Sequence, residues 1–374
     1  MNLDFSDEQK ALKDQIRRFL EDKCQPAVVR GILEGPDAYD RDLYAGLAEL
    51  GFLGAAIPEE YGGVGLSYLE LCIFAEELGR VVAPVPVASS IYLTAEFLLQ
   101  AGSDAQKKAW LPKLAAGEAI GAFAFAEGQG RMSAKKIRAQ VKGGKLSGVK
   151  SPVMDGDAAD VAVVAALSDA GKVSLYLVDM KGAGVKRETL NTIDPSLNQS
   201  KVTFDGAPAE LLGEEGDGWY IAEQVMDRAA ILMAFEQVGG ADAALEMGRD
   251  YALERMAFGR PIGSFQAIKH ILADMYVSAT LARSNCYYAA WALSSSAAEL
   301  PIAAATARVS ATQAYQHCAK NNIQVHGGMG FTWDFDCHLF YRRSNALALA
   351  LGSLSTWESL LIERMRGSNT ADAA

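Results

Sequence analysis

The sequence predicts a mainly α-helical chain that carries a small β domain. Three observations predict it. Apolar residues recur at helical spacing up to about residue 118, short and partly alternating segments follow, and long amphipathic segments run from about residue 219 onward. The 374 residues suffice for two or three packed domains. The expected boundaries are 1–118 for an N-terminal α-helical domain, 119–215 for a central β domain and 216–374 for a C-terminal helical bundle.

Each element has a local reason. Ser6 is placed to cap the helix DEQKALKDQIRRFLEDK, with Gln9 at the position a capping box needs. LYAGLAELGFLG and LELCIFAEELGRVV repeat the three-to-four spacing of a buried helix face, and IPEEYGGVGLS (57–67) between them is a Pro/Gly-rich turn. ASSIYLTAEFLLQAG and DAQKKAWLPKLAAGE add two short helices. GAFAFAE (121–127), AQVKGGKLSGVKS (139–151), DVAVVAAL (160–167), KVSLYLVDM (172–180) and KVTFDGAP (201–208) read as strands of a mostly antiparallel sheet. LLGEEGDGW (211–219) reads as a loop. Helices are then expected over about 219–254, 265–297, 301–324 and 340–366, joined by short links as in a bundle. Gly239 and Gly240 inside the first of these predict a close helix contact. The run ALALALGS (346–353) alternates like a strand, yet Ala and Leu favour helix, and nothing in it can take a proton.

Composition bounds the chemistry. A net charge of −11 argues against a nucleic-acid partner, which selects a basic face. Five cysteines, odd in number and without a CxxC pair, argue against a disulfide framework or a zinc site and fit a reducing cytoplasm. Cys337-His338 is a bare adjacent pair, so no metal is expected. The start MNLDFSDEQKALKDQ is charged at once and lacks an apolar signal core, and no run of about 18 apolar residues predicts a membrane span.

Two stretches carry ligand chemistry. In ERMAFGRPIGSFQ (254–266) a helix ends, a Gly/Pro turn follows and a new helix opens, offering backbone N–H groups, a helix N-terminus and guanidinium groups to a phosphate. In QVHGGMGF (324–331) three glycines in four residues let a backbone approach something flat or charged, and Gln324 at the helix end can read an amide or a base edge. Taken as chemistry alone, either stretch is also an ordinary turn, and His326 an ordinary packing residue.

In this order and context the stretches resemble the acyl-CoA dehydrogenase family. IPEEYGGVGLSYLELCIFAEELGR, QKKAWLPKLAAGE, LLGEEGDGW, R-x-x-FGRPIGSFQ and QVHGGMGF match it in sequence order across nearly the whole chain. The resemblance implies the acyl-CoA dehydrogenase fold: an α domain, a central antiparallel β domain and a C-terminal four-helix bundle. It implies FAD bound at an interface between subunits of a homodimer or homotetramer, and an acyl-CoA substrate desaturated between the α and β carbons with hydride transfer to the flavin. Such oxidoreductases serve fatty acid or sterol catabolism, and fatty, aromatic and steroid acyl groups all remain compatible with the sequence.

The resemblance carries over residue by residue, and unevenly. Arg255, Phe258 and Gln266 match positions that hold the pyrophosphate and adenosine of a neighbouring subunit's FAD, and Gln324, Gly327 and Gly328 match its second contact. The family's flavin-cradling TEPxAGSD aligns with AEGQGRMS (126–133), where Glu127 alone survives. The tryptophan–isoleucine–threonine triplet beside the flavin aligns with Pro152-Val153-Met154. Counted without gaps from Gln324, the family's Glu-Gly-Thr falls on Leu351-Gly352-Ser353, so the catalytic acid position holds leucine. The alternative base position on the first bundle helix falls on Ala229, followed by Ala230 in place of an arginine. Nearby candidates are Asp227-Arg228 and Glu236; Glu236 lies two turns further on the same face as Ala229, in an apolar context that raises a carboxyl pKa, and it is equally readable as a buried packing residue. Three functions follow: a dehydrogenase with a displaced base, a non-catalytic chain of a heterotetramer that lends FAD contacts to a second acyl-CoA dehydrogenase chain, or the same fold with a changed reaction, such as an oxygen-using oxidase or a flavin monooxygenase.

Overall fold

The computed structural model describes residues 6–371; the first five and last three residues lie outside it. Its order is α1 (Asp7–Lys23), α2 (Pro26–Glu34), α3 (Arg41–Glu49), α4 (Tyr68–Arg80), a π-helical segment (Ala88–Ala95), α5 (Glu96–Ala101) and α6 (Asp104–Ala115). The strands β1 (Gly121–Ala124), β2 (Gln140–Lys142), β3 (Lys145–Met154), β4 (Val161–Leu167), β5 (Val173–Asp179), β6 (Val185–Thr189), β7 (Gln199–Pro208) and β8 (Glu210–Leu212) follow. Then come α7 (Gly218–Glu254), the two-residue strands β9 (Met256–Ala257) and β10 (Arg260–Pro261), α8 (Gln266–Ser294), α9 (Leu300–His326), α10 (Cys337–Leu349) and α11 (Leu354–Ala371). The mainly helical class with one small β region is what the sequence led us to expect.

The chain forms two compact units, each assembled from separate stretches. One holds the sheet and comprises residues 30–67 and 84–229; the other is helical and comprises residues 1–29, 68–83 and 230–374. In the sheet-bearing unit the strand order is β6-β7-β3-β2-β4-β5-β8, with β1 beside β4. The β1–β4 and β2–β4 pairings are parallel and the others antiparallel. β4 is buried along almost its whole length, which explains its unbroken apolar run VAVVAAL. Two strands were not legible in advance. β6 reads VKRET, with no apolar alternation, and pairs only through β7. β8 takes Leu211 and Leu212 out of the predicted 211–219 loop.

In the helical unit the capping box at α1 forms as expected. Ser6 Oγ accepts from the Gln9 N–H, and Gln9 Oε1 accepts from the Ser6 N–H. The expected close contact at Gly239 and Gly240 is present. A Cβ on Gly239 would lie 1.9 Å from the Glu76 carbonyl oxygen of α4, and one on Gly240 would lie 2.4 Å from the Tyr315 ring of α9. Gly79 of α4 makes the reciprocal approach, where a Cβ would be 1.8 Å from the Glu236 carbonyl oxygen. Ion pairs tie α4 to α1 and to α8: Lys13 to Glu76 at 2.8 Å, Arg17 to Glu77 at 2.8 Å and Arg283 to Glu76 at 3.0 Å.

The expected helix over 340–366 is a correction. α10 stops at Leu349 and α11 starts at Leu354, so ALALALGS ends a helix and turns. Leu351 takes φ 60° and Gly352 φ 111°, which ends the helical path, and the Ser353 carbonyl accepts the Thr356 and Trp357 N–H groups that open α11.

Candidate cofactor and substrate site

The helical unit presents two loops built from the predicted residues. At the end of α7 the Arg255 N–H donates to the Tyr251 carbonyl, and the Arg255 carbonyl accepts from Ile262, closing the β9–β10 hairpin. Phe258 and Gly259 form its turn at φ 52° and 76°. Two positive φ angles are what a tight two-residue hairpin requires, and glycine takes them without strain. A phenylalanine there is uncommon and costs energy, yet Phe258 is 95% exposed. Arg260 places its guanidinium 4.2 Å from the Phe265 ring centroid, and Phe258 meets that ring edge-on at 6.1 Å. Gln266, exposed, is the first residue of α8. Arg255, Phe258 and Gln266 are thus gathered on one hairpin and the helix start behind it.

The second loop caps α9. Gly327, at φ 61°, donates to the Gln324 carbonyl and opens a 3-10 turn to Phe331. The three glycines have different reasons. Gly327 has its positive φ, and Gly330 abuts the Ile323 carbonyl, 2.7 Å from where a Cβ would sit. Gly328 has neither a positive φ nor a neighbour within 4 Å of a built Cβ. Among the described residues nothing calls for glycine there, and the space beside it is open. Gln324, Gly327 and Gly328 are exposed, and Phe331 beside them is 85% exposed. An arginine, two carboxamides, bare backbone and uncovered aromatic rings suit a ligand with a phosphate at one end and a flat base at the other.

The α10–α11 turn carries Leu351, the position at which the resemblance puts the acid. Leu351 packs against a buried cluster of Ala230, Ala305 and Trp357, with Val309, Leu360 and Leu361 around it. Ala229 is fully buried as well. Both positions at which the resemblance would put a base are therefore hydrocarbon, and Leu351 and Ala230 share one apolar cluster. Arg308, 1% exposed, braces the turn. Its Nη2 donates to the carbonyls of Leu347 and, at 2.7 Å, Ala350, and its Nη1 donates to Gln237 Oε1 at 2.6 Å. Burial pulls the Arg308 pKa down to about 10, against the attraction of Glu236. Sequence reasoning missed Arg308; its signal was a single cation in the alanine-rich stretch IAAATARVSAT. Glu236 is 7% exposed and lies 3.7 Å from the Arg343 guanidinium, which also donates to the Ala83 carbonyl. It is a buried carboxylate with a helix-packing cation beside it.

The sheet-bearing unit holds the stretches that match the flavin cradle. Glu127 is occupied: Oε1 accepts from Lys150 Nζ at 2.6 Å and from the Ala139 N–H, and Oε2 accepts from the Arg138 N–H. Burial pulls the Lys150 pKa down while its pairing with Glu127 opposes the shift. Glu127 thus ties its own loop to β3 and to the residues that lead into β2. Pro152 is exposed, Val153 is buried in the sheet and Met154 is half-buried, so the triplet offers neither an aromatic plane nor a hydroxyl. The residues of 126–133 and 152–154 do not fit the role of a flavin cradle; those of 255–266 and 324–328 fit the role of an external FAD contact.

A helical scaffold with an inserted sheet is the architecture of the acyl-CoA dehydrogenase-like flavoproteins. The chain belongs to the acyl-CoA dehydrogenase family: the profile described as "Acyl-CoA dehydrogenase, N-terminal domain" matches residues 6–118, and "Acyl-CoA dehydrogenase, C-terminal domain" matches residues 216–365. It is 33% identical to the acyl-CoA dehydrogenase IpdE2 of Mycobacterium tuberculosis, over 93% of this chain and 94% of that one. Its fold is similar to butyryl-CoA dehydrogenase from Megasphaera elsdenii, with TM-score 0.91 and 26% identity over 98% and 100% of the two chains. It is also similar to a chain of the ChsE4-ChsE5 complex from Mycobacterium tuberculosis, with TM-score 0.87 and 27% identity over 99% of each chain.

Proposed function

We propose that the chain serves α,β-desaturation of an acyl-CoA thioester as the non-catalytic member of a two-chain dehydrogenase. It lends Arg255, Phe258, Gln266, Gln324, Gly327 and Gly328 to an FAD cradled by a second, homologous chain. The observation that carries this reading is the Leu351 cluster. Removing an α-proton needs a carboxylate facing the thioester, and hydrocarbon occupies both places where one is expected. FAD, when bound, supplies the acceptor for the β-hydride. The partner supplies the base and the cradle, while this chain's arginine and glutamines bind and orient the pyrophosphate and adenosine from outside. The occupied Glu127 supports the same division of labour, as does the likeness to a chain from a complex of two differently named subunits.

The test compares the lone chain with the chain co-expressed with a second acyl-CoA dehydrogenase family chain from the same source, following acyl-CoA-dependent reduction of a dye. The expected result is no turnover from the lone chain, turnover from the pair, and loss of most of it when Arg255 becomes Ala. Turnover by the lone chain that Glu236→Gln abolishes would overturn the reading and make Glu236 a displaced base.

A further inference from the structure

The two loops proposed to face the cofactor are far apart in sequence, and an aromatic stack joins the helix ends that carry them. Tyr251 lies in the last turn of α7, and its carbonyl accepts the Arg255 N–H at 2.8 Å. Its ring is stacked on His326, with centroids 4.0 Å apart and planes 23° apart. Phe335 closes the group edge-on, 5.9 Å from Tyr251 and 5.7 Å from His326. His326 sits between Gln324 and Gly327, and a Cβ on Gly330 would lie 3.0 Å from the His326 Cβ, so the glycine turn folds directly over this side chain. His326 Nδ1 is held at 2.9 Å by the Asn322 carbonyl one turn earlier, a contact that fixes the ring plane. Below it Gly248 lets Asn322 approach α7, and Asn322 Nδ2 donates to Met247 Sδ at 3.3 Å.

We propose that Tyr251, His326 and Phe335 form a positioning unit that locks the 255–266 hairpin and the 324–331 turn in one register, so that both reach the cofactor together. The inference rests on the lending role proposed above. Offset and edge-on rings hold preferred separations, so displacing one loop costs contacts in the other. An isolated two-residue hairpin with an exposed tip is marginal alone in water, and the stack gives the Arg255–Gln266 segment an anchor that hydrogen bonds within the hairpin do not provide. Sequence reasoning left His326 as a packing residue; its neighbours show what it packs together.

Hydrogen exchange on the intact chain tests the coupling without any cofactor. In His326→Ala the amides of 256–262 are expected to exchange about 3- to 10-fold faster, the scale of one or two lost aromatic pairs, along with those of 327–331. His326→Phe is expected to restore most of the protection in both segments. Faster exchange confined to 324–331, or no rescue by phenylalanine, overturns the inference. Should His326→Ala fail to fold, Phe335→Leu gives the same reading from the third ring. A parallel arm measures FAD retained by the co-expressed pair, where His326→Ala is expected to lower retention about as much as Arg255→Ala. If Arg255→Ala leaves retention unchanged, the lending role fails and the loop coupling is judged on exchange alone. If Arg255→Ala lowers it and His326→Ala does not, the positioning role is the part that fails.

Discussion

Leu351 turns the chain at φ 60° while its side chain joins Ala230, Ala305 and Trp357. Leu351→Glu would drive a carboxylate toward that cluster without a built partner, and a loss of about 1–3 kcal/mol in denaturant unfolding is expected. No dehydrogenase activity is expected to appear in the lone variant, because the cradle residues at 126–133 and 152–154 stay unsuitable; dye reduction by it would show that one side chain is all that is missing. Lys150 and Glu127 give a sharper case. Lys150 is fully buried and donates to Glu127 and to the Phe125 carbonyl. Glu127→Gln leaves that charge without its counterion, so about 3–5 kcal/mol should be lost in urea unfolding. His326 adds a pH signature. Burial, opposed by the Asn322 contact, holds its pKa below the ordinary 6.5. The unfolded chain then binds the proton first, so stability is full above that value and declines as pH falls below it. The slope that His326 contributes should vanish in His326→Phe, as urea midpoints between about pH 7 and pH 5 would record. Of these residues, Leu351 was legible by counting along the chain. Arg308, Lys150 and Tyr251 were not, because their roles come from what folding sets beside them.

At the scale of elements, close approach of helices governs what can change. α4 and α7 meet through Gly79 and Gly239, each of which would set a Cβ under 2 Å from a carbonyl oxygen of the other helix. Gly239→Ala is therefore expected to cost about 2–3 kcal/mol or more, since the helices must part to admit the methyl group; a change below 0.5 kcal/mol in thermal unfolding would contradict the packing. The ion pairs on α4 respond to acid. Burial opposes ionisation of Glu76, but Lys13 and Arg283 outweigh it and hold its pKa below 4.5. That stabilisation is present above 4.5 and is lost as pH falls further. The pattern of apolar positions revealed the long helices, the capping box and the buried β4. It failed at ALALALGS, where good helix formers run into a turn fixed by Gly352 and Ser353, and at β6, whose place comes from its pairing with β7 and not from its own side chains. The π-helical segment at Ala88–Ala95 likewise has no signature in its residues beyond a helical one.

For the whole molecule, the division between what is intact and what is lost carries the account. The exposed hairpin and glycine turn carry Arg255, Phe258, Gln266, Gln324, Gly327 and Gly328, the residues that the proposed lending role requires. The apolar turn at Leu351 and the occupied Glu127 fit the proposed role, in which the partner chain holds the working site. Phe258 and Phe331, both almost bare, are costly on a monomer and are expected to be covered in the assembly. Among the described residues no helix is long and apolar enough to cross a membrane. The most direct test is native mass spectrometry of the complex isolated from its source, counting chains and flavins together. Two kinds of chain in equal number and one FAD for each pair are expected. One FAD tightly held by every copy of this chain in a homo-oligomer, with the flavin bleached by an acyl-CoA, would contradict the lending role.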